Sequence, residues 1–296
     1  IYGRNSVDSA HVVFSADSLP SIFGDWDILT EAFGVEWQGR SLERAQVDAE
    51  MSDRRGDVSL SIVRRPGEEL AAKAQFAFDS LGGRLDLEEA TATLDALVYA
   101  LAEPTRIAWE GASVSFDSTQ ITRLGDDPMH MVASGVLSRE GQSDFRLDLR
   151  GLHLDRVIEV LEIDALAEGH MDLVLTVQGL SDDPVIAANF EVVEPRYAGI
   201  GFSTIKGRLD YRGLEGNIGI EALEGAHTVL RVAGSIPYDL SLEERDSRSV
   251  RLPMDLLIQA DSLDMADALD YFGTFEDVAG LVFGLVRGRG TTGDPE

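Results

Sequence analysis

The sequence predicts an all-β protein, a long and mainly antiparallel meander with a few short helices. Three observations predict it. Apolar and polar residues alternate at period two through most of the 296 residues. Turn-forming clusters break the alternating runs at regular spacing. A stretch of roughly thirty residues then recurs at a fixed internal offset.

The strands can be read in order. "VSLSI" places Val58, Leu60 and Ile62 on one face. "FRLDL" does so with Phe145, Leu147 and Leu149, leaving Arg146 and Asp148 opposite. "MDLVLTV" aligns Met171, Leu173, Leu175 and Val177, and "IAANFEV" aligns Ile186, Ala188, Phe190 and Val192. "STIKGRLDY", "NIGIEAL" and "TVLRVAG" add Ile205, Leu209, Tyr211, Ile218, Ile220, Leu230 and Val232. The turns between them read "RRPGEE", "LGGR", "EGQSD", "SDDP" and "RGLEG". "LEEATATLDALVYALAEP" fits either period and is read as strand.

Helical spacing is confined to short stretches. "LDRVIEVLEIDAL" puts Leu154, Val157, Ile158 and Leu161 at i, i+3, i+4 and i+7. "LDMADALDYF" does it with Met265, Ala268, Leu269 and Phe272, predicting a helix near 264–272. "PSIFGDWDILTEAF", from Pro20 to Phe33, is a weaker third case.

The repeat rests on common order. Gly179, Asp183 and Pro184 recur as Gly290, Asp294 and Pro295, an offset of 111 positions. Gly169 matches Gly280 and Leu152 matches Leu263 in the same register. "ADSL" occurs at Ala16–Leu19 and Ala260–Leu263, and "GRLD" at Gly83–Asp86 and Gly207–Asp210. The spacing is not strict, so the modules have diverged: about 12–150, 151–262 and an incomplete 263–296. The chain opens on Ile1 and stops inside a copy. The sequence therefore predicts a fragment of one repetitive domain, with any anchor or targeting signal outside it. Proline donates nothing to a sheet ladder and pushes its predecessor towards extended geometry. Gly179–Pro184 is thus a turn that closes one strand and launches the next.

Composition narrows the function. With 53 acidic and 25 basic side chains the net charge is −28. Such a surface repels nucleic-acid phosphates and anionic headgroups, so neither is an expected electrostatic partner. There is no cysteine, which excludes thiolate metal sites, disulfides and cysteine nucleophiles. No run of about 18 apolar residues is present. His11, His130, His153, His170 and His227 are scattered, and no pair has metal-ligand spacing. No nucleophile elbow or phosphate loop appears. The sequence predicts no enzyme, no catalytic residue, no metal and no cofactor.

The module order is familiar. A strand ends in "GLHL" or "ADSL", a short helix follows, then "EGHMDLVLTVQGLSDDPVIAANFEV", "YAGIGFSTIKGRLDYRG", "NIGIEAL" and "TVLRVAGSIPYDL". This resembles the translocation and assembly module subunit TamB and the wider AsmA-like family of bacterial envelope proteins. The positions that carry it are Gly169 to Gly179, Asp183-Pro184, and Gly207, Leu209 and Tyr211. The resemblance is best over 147–296 and looser over 1–124. It implies a sheet curled lengthwise into an open groove, a β-taco, with an apolar interior. It further implies a non-enzymatic periplasmic segment of a protein anchored in the inner membrane outside this stretch. The implied role is phospholipid transport between inner and outer membranes, and outer-membrane protein assembly and secretion. The implied partners are phospholipid acyl chains and, through regions outside this stretch, an outer-membrane assembly-type β-barrel protein. On that reading Leu173, Leu175, Val177, Phe190, Ile205, Leu209 and Leu230, each on the apolar phase of its strand, line the groove.

Two other classes share parts of the pattern. An extracellular passenger or adhesin scaffold would be equally β-rich and acidic, but with a filled core. A β-helix enzyme acting on polysaccharides would need rungs far shorter than this module.

Overall fold

The computed structural model describes residues 6–17, 24–37, 40–125, 128–161, 167–197, 200–245, 247–264, 280–291 and 294–295. It is almost entirely β, all of the pairing antiparallel, and it divides into two compact units, Ile1–Val136 and Leu137–Glu296.

In the first unit β1 (Ser6–Ala16), β2 (Trp26–Trp37), β3 (Arg40–Ser52), β4 (Arg55–Arg65), β5 (Glu68–Phe78) and β6 (Gly82–Leu94) form a meander, each paired with the next. Beyond β6 the ladder splits. β7 (Leu97–Leu101) pairs with one end of β6 and β8 (Thr105–Glu110) with the other; β9 (Ser113–Leu124) then pairs with both. The unit boundary falls within β10 (His130–Ser138). The helix expected over "PSIFGDWDILTEAF" is corrected in part: Trp26–Trp37 is strand. Trp26, Ile28, Thr30 and Ala32 pair with Met51, Ala49, Val47 and Ala45, so period two prevails over 3.6. "LEEATATLDALVYALAEP" forms the end of β6 and all of β7, as strand.

In the second unit β11 (Gln142–His153) leads into α1 (Leu154–Leu161), the only helix among the described residues. The meander then runs through β12 (Ala167–Leu180), β13 (Pro184–Tyr197), the two-residue β14 (Ile200–Gly201), β15 (Thr204–Arg212), β16 (Glu215–Glu224), β17 (His227–Pro237), β18 (Pro253–Asp264), β19 (Leu281–Thr291) and β20 (Asp294–Pro295). The helix expected near 264–272 lies outside the described residues from 265 onward.

The 111-residue offset is a backbone repeat as well as a textual one. The β11 ladder slips between Leu149 and Leu152, and the β18 ladder between Ala260 and Leu263. Each slip holds a residue of positive φ, Gly151 at 65° and Ser262 at 59°. Such an extra residue bends a strand and re-aims the residues beyond it. The module edges expected at 150/151 and 262/263 sit on these two bulges. The Gly-x4-Asp-Pro turns also coincide. Gly179 pairs with Pro184 and Gly290 with Pro295, at φ values of 95° and 107°.

Candidate functional site

Directly opposed residues of an antiparallel sheet project to the same face. The pairing registers therefore trace rows across the second unit. One runs Leu149, Leu173, Phe190, Gly207, Ile220, Val232, Ile258, Val286. The next runs Leu147, Leu175, Ala188, Leu209, Ile218, Gly234, Leu256, Gly288. Met171, Val192, Ile205, Ala222, Leu230 and Ala260 form a third, and Phe145, Val177, Ile186, Tyr211 and Gly216 a fourth. Every one of these side chains is apolar or glycine. All seven sequence-predicted residues lie in these rows and share the face: Leu173 opposes Phe190, Leu175 and Leu209 flank Ala188, and Ile205 and Leu230 flank Ala222. The face crosses eight long strands. Seven intervals of about 4.8 Å make it about 34 Å wide in this unit.

The opposite face is polar. Asp172, Glu191, Lys206, Glu221, Arg231 and Gln259 form its central row. Ion pairs tie it together at 3.2 Å (Lys206–Glu191) and 2.8 Å (Arg231–Glu221). Arginines on this face hold nearby aspartates below the usual carboxylate range: Arg150 and then Arg146 act on Asp148, Arg208 on Asp210, and Arg287 and then Arg289 on Asp255. These carboxylates stay charged, so the face stays hydrated.

The apolar face is only partly covered. Val177 and Phe145 are buried, at 6% and 8% exposure, whereas Leu173, Leu175, Phe190, Ile205, Leu209 and Leu230 are half-buried. At the Tyr211 end of these rows lies a strap that sequence reasoning missed. The segment between β17 and β18 folds back over one rim. Its Leu240 N–H donates to the Tyr211 hydroxyl at 3.0 Å, and its Leu242 N–H to the Ser181 carbonyl at 2.8 Å. Tyr211 and Ser241 are each 2% exposed. Arg248 ties the strap to itself by donating to the carbonyls of Asp239, Ser241 and Glu243 at 3.0, 2.7 and 3.1 Å. Asp239 is held below its ordinary value by Ser241, whose backbone N–H donates to it at 2.8 Å, and by Arg245 and Arg248. "YDLSLEERDSRSV" carries no periodicity, and its one advance signal was Pro237, where a strand can end.

The first unit repeats the two-faced pattern. Phe14, Ile28, Ala49, Val58, Ala74 and Leu87 form a row on its apolar face. Glycines on both apolar faces share a feature. Gly207 directly opposes Phe190, Gly83 opposes Trp109, and Gly56 opposes Phe76. At Gly207 and Gly83 the ring occupies the space a Cβ would take; at Gly56 the Glu50 carbonyl oxygen takes it first and the Phe76 ring lies just beyond. Trp26 and Phe76 converge over Gly56 with ring centroids 6.1 Å apart. The "GRLD" echo was the sequence signal for two of these pairs, since its glycine is Gly83 in one copy and Gly207 in the other.

No helix among the described residues is long and apolar enough to cross a membrane. Comparison with protein-family models, with curated proteins and with solved structures returns no match.

Proposed function

We propose that the apolar face is a non-enzymatic seat for phospholipid acyl chains. The chain is then a periplasmic segment of a TamB-like envelope protein. On this reading it supports phospholipid transport between the inner and outer membranes, and through that route outer-membrane protein assembly and secretion.

One observation carries the reading. Four adjacent apolar rows, two of them crossing eight strands, run without a charged residue, yet most of their side chains remain half-buried. A filled β-sandwich would bury those side chains against a second sheet. Acyl chains satisfy such a surface without needing hydrogen-bond partners, and they can slide along it because no polar group fixes their position. The charged opposite face keeps the sheet from stacking on itself.

Mass spectrometry of lipid extracted from the purified chain tests this. Co-purifying phospholipid is expected, and Leu175→Asp should reduce it. Lipid-free protein with its sheet intact by circular dichroism would leave a passive passenger-type scaffold.

A further inference from the structure

We propose that a cavity at the rim of the first unit seats the headgroup of a zwitterionic phospholipid, with the phosphate on arginines and the ammonium on carboxylates. The inference rests on the acyl-chain reading and names where one end of that ligand is held.

The cavity is about 730 Å³ and stands where three hairpin turns lie side by side. The turns are bonded to one another: Phe78 N–H donates to the Arg54 carbonyl at 3.1 Å, and Gly111 N–H to the Leu81 carbonyl at 3.2 Å. Both faces of the sheet reach it. Phe78 and Trp109 oppose Gly83 from either side and belong to the apolar phase. Arg55, Ala77, Arg84 and Ala108 form the adjacent row, on the polar phase. Residues of the apolar and the polar phase therefore meet at one rim, as the junction of an amphiphile's tail and headgroup requires.

The charges select the headgroup. Ala77 alone separates Arg55 from Arg84 in register, so the two arginines stand about 10 Å apart with a methyl-sized residue between them, a span that a phosphate can bridge; Arg84 is paired with Asp86 at 3.2 Å, an exposed contact that the phosphate would have to share or replace. Arg54 joins them at the cavity. Asp79 is already engaged: it accepts from the N–H groups of Leu81 and Gly82 at 2.8 and 3.1 Å, which hold it below the usual carboxylate range. Asp53 and Glu110 also line the cavity. A net anion would meet these carboxylates and the chain's overall charge of −28. A phosphate with an attached ammonium meets complementary groups at both ends.

Calorimetric titration of the chain with three short-chain probes below their micelle concentrations tests the proposal: dihexanoyl phosphatidylethanolamine, dihexanoyl phosphatidylglycerol and dihexanoylglycerol. The ethanolamine lipid should bind about tenfold more tightly than the uncharged glyceride. Arg55→Ala with Arg84→Ala should abolish that advantage; both side chains are exposed, so the fold should tolerate the change. Asp53→Asn with Glu110→Gln should shift preference towards phosphatidylglycerol. Equal affinity for all three probes, or a preference of the unaltered chain for the anionic lipid, would overturn the headgroup seat and leave the acyl-chain reading standing. No binding of any probe would overturn both.

Discussion

The ring of Phe190 lies over Gly207 on the neighbouring strand, in the space where any other residue would place its Cβ. The pairing buries the glycine and keeps the sheet's apolar face continuous across β13 and β15. Gly207 has no positive φ, so its constraint is purely steric.

Gly207→Ala should therefore destabilise the chain by about 1–3 kcal/mol, because the Phe190 ring must move off its site. A Cβ at Gly219 would meet nothing within 4 Å, and this glycine has no positive φ, so Gly219→Ala should be neutral or slightly stabilising. Urea unfolding of both variants checks this. Adding Phe190→Leu to Gly207→Ala should recover part of the loss, read as a coupling in the double-mutant cycle.

The strap should loosen when its anchor is removed. Tyr211→Phe leaves the Leu240 N–H without the acceptor it now has, at a cost of about 1 kcal/mol. Hydrogen exchange should speed up at Leu240 and Leu242 while β12 and β13 stay protected. Unchanged exchange at both would mean that other contacts hold the strap.

Acid should release the strap late. The folded pKa of Asp239 lies below its ordinary value of 3.8. Its contribution is therefore fully present above the unfolded value and is lost as pH falls through the lowered one. Amide exchange across the strap should stay slow through the ordinary carboxylate range and rise only below it. Asp239→Asn should remove that pH dependence.

Much of this fold is legible in the sequence because the sheet has one simple rule. Period-two alternation sets the strands, and the turn clusters set the breaks: "RRPGEE", "EGQSD", "SDDP" and "RGLEG" each fall between consecutive strands. Face membership follows from alternation alone, which is why all seven predicted residues share the apolar face. The helix misread over Trp26–Phe33 came from trusting a 3.6 spacing where Trp26, Ile28 and Ala32 also fit period two. The strap was not legible, since its conformation depends on Arg248 reaching three carbonyls and on a tyrosine two strands away. The aromatic-over-glycine pairs were half visible. "GRLD" marked the glycines, but only the register shows that Phe190 and Trp109 are their partners.

The central claim is that lipid tails occupy the face that holds Leu175 and not the one that holds Asn189. Leu175 lies between Leu147 and Ala188, whereas Asn189 lies between Val174 and Arg208 on the opposite phase. Leu175→Ala should cost about 2 kcal/mol by lost packing, near the low end of core truncations because the site is half-buried. Leu175→Asp should instead block lipid passage, since a charge there faces desolvation by every passing chain. Asn189→Asp, beside Arg208, should do neither. The most direct measurement is photocrosslinking in cells from a photoreactive residue placed at 175 and, separately, at 189. Phospholipid adducts are expected from 175 and none from 189. Equal labelling at both positions, or no lipid at 175, would contradict the claim.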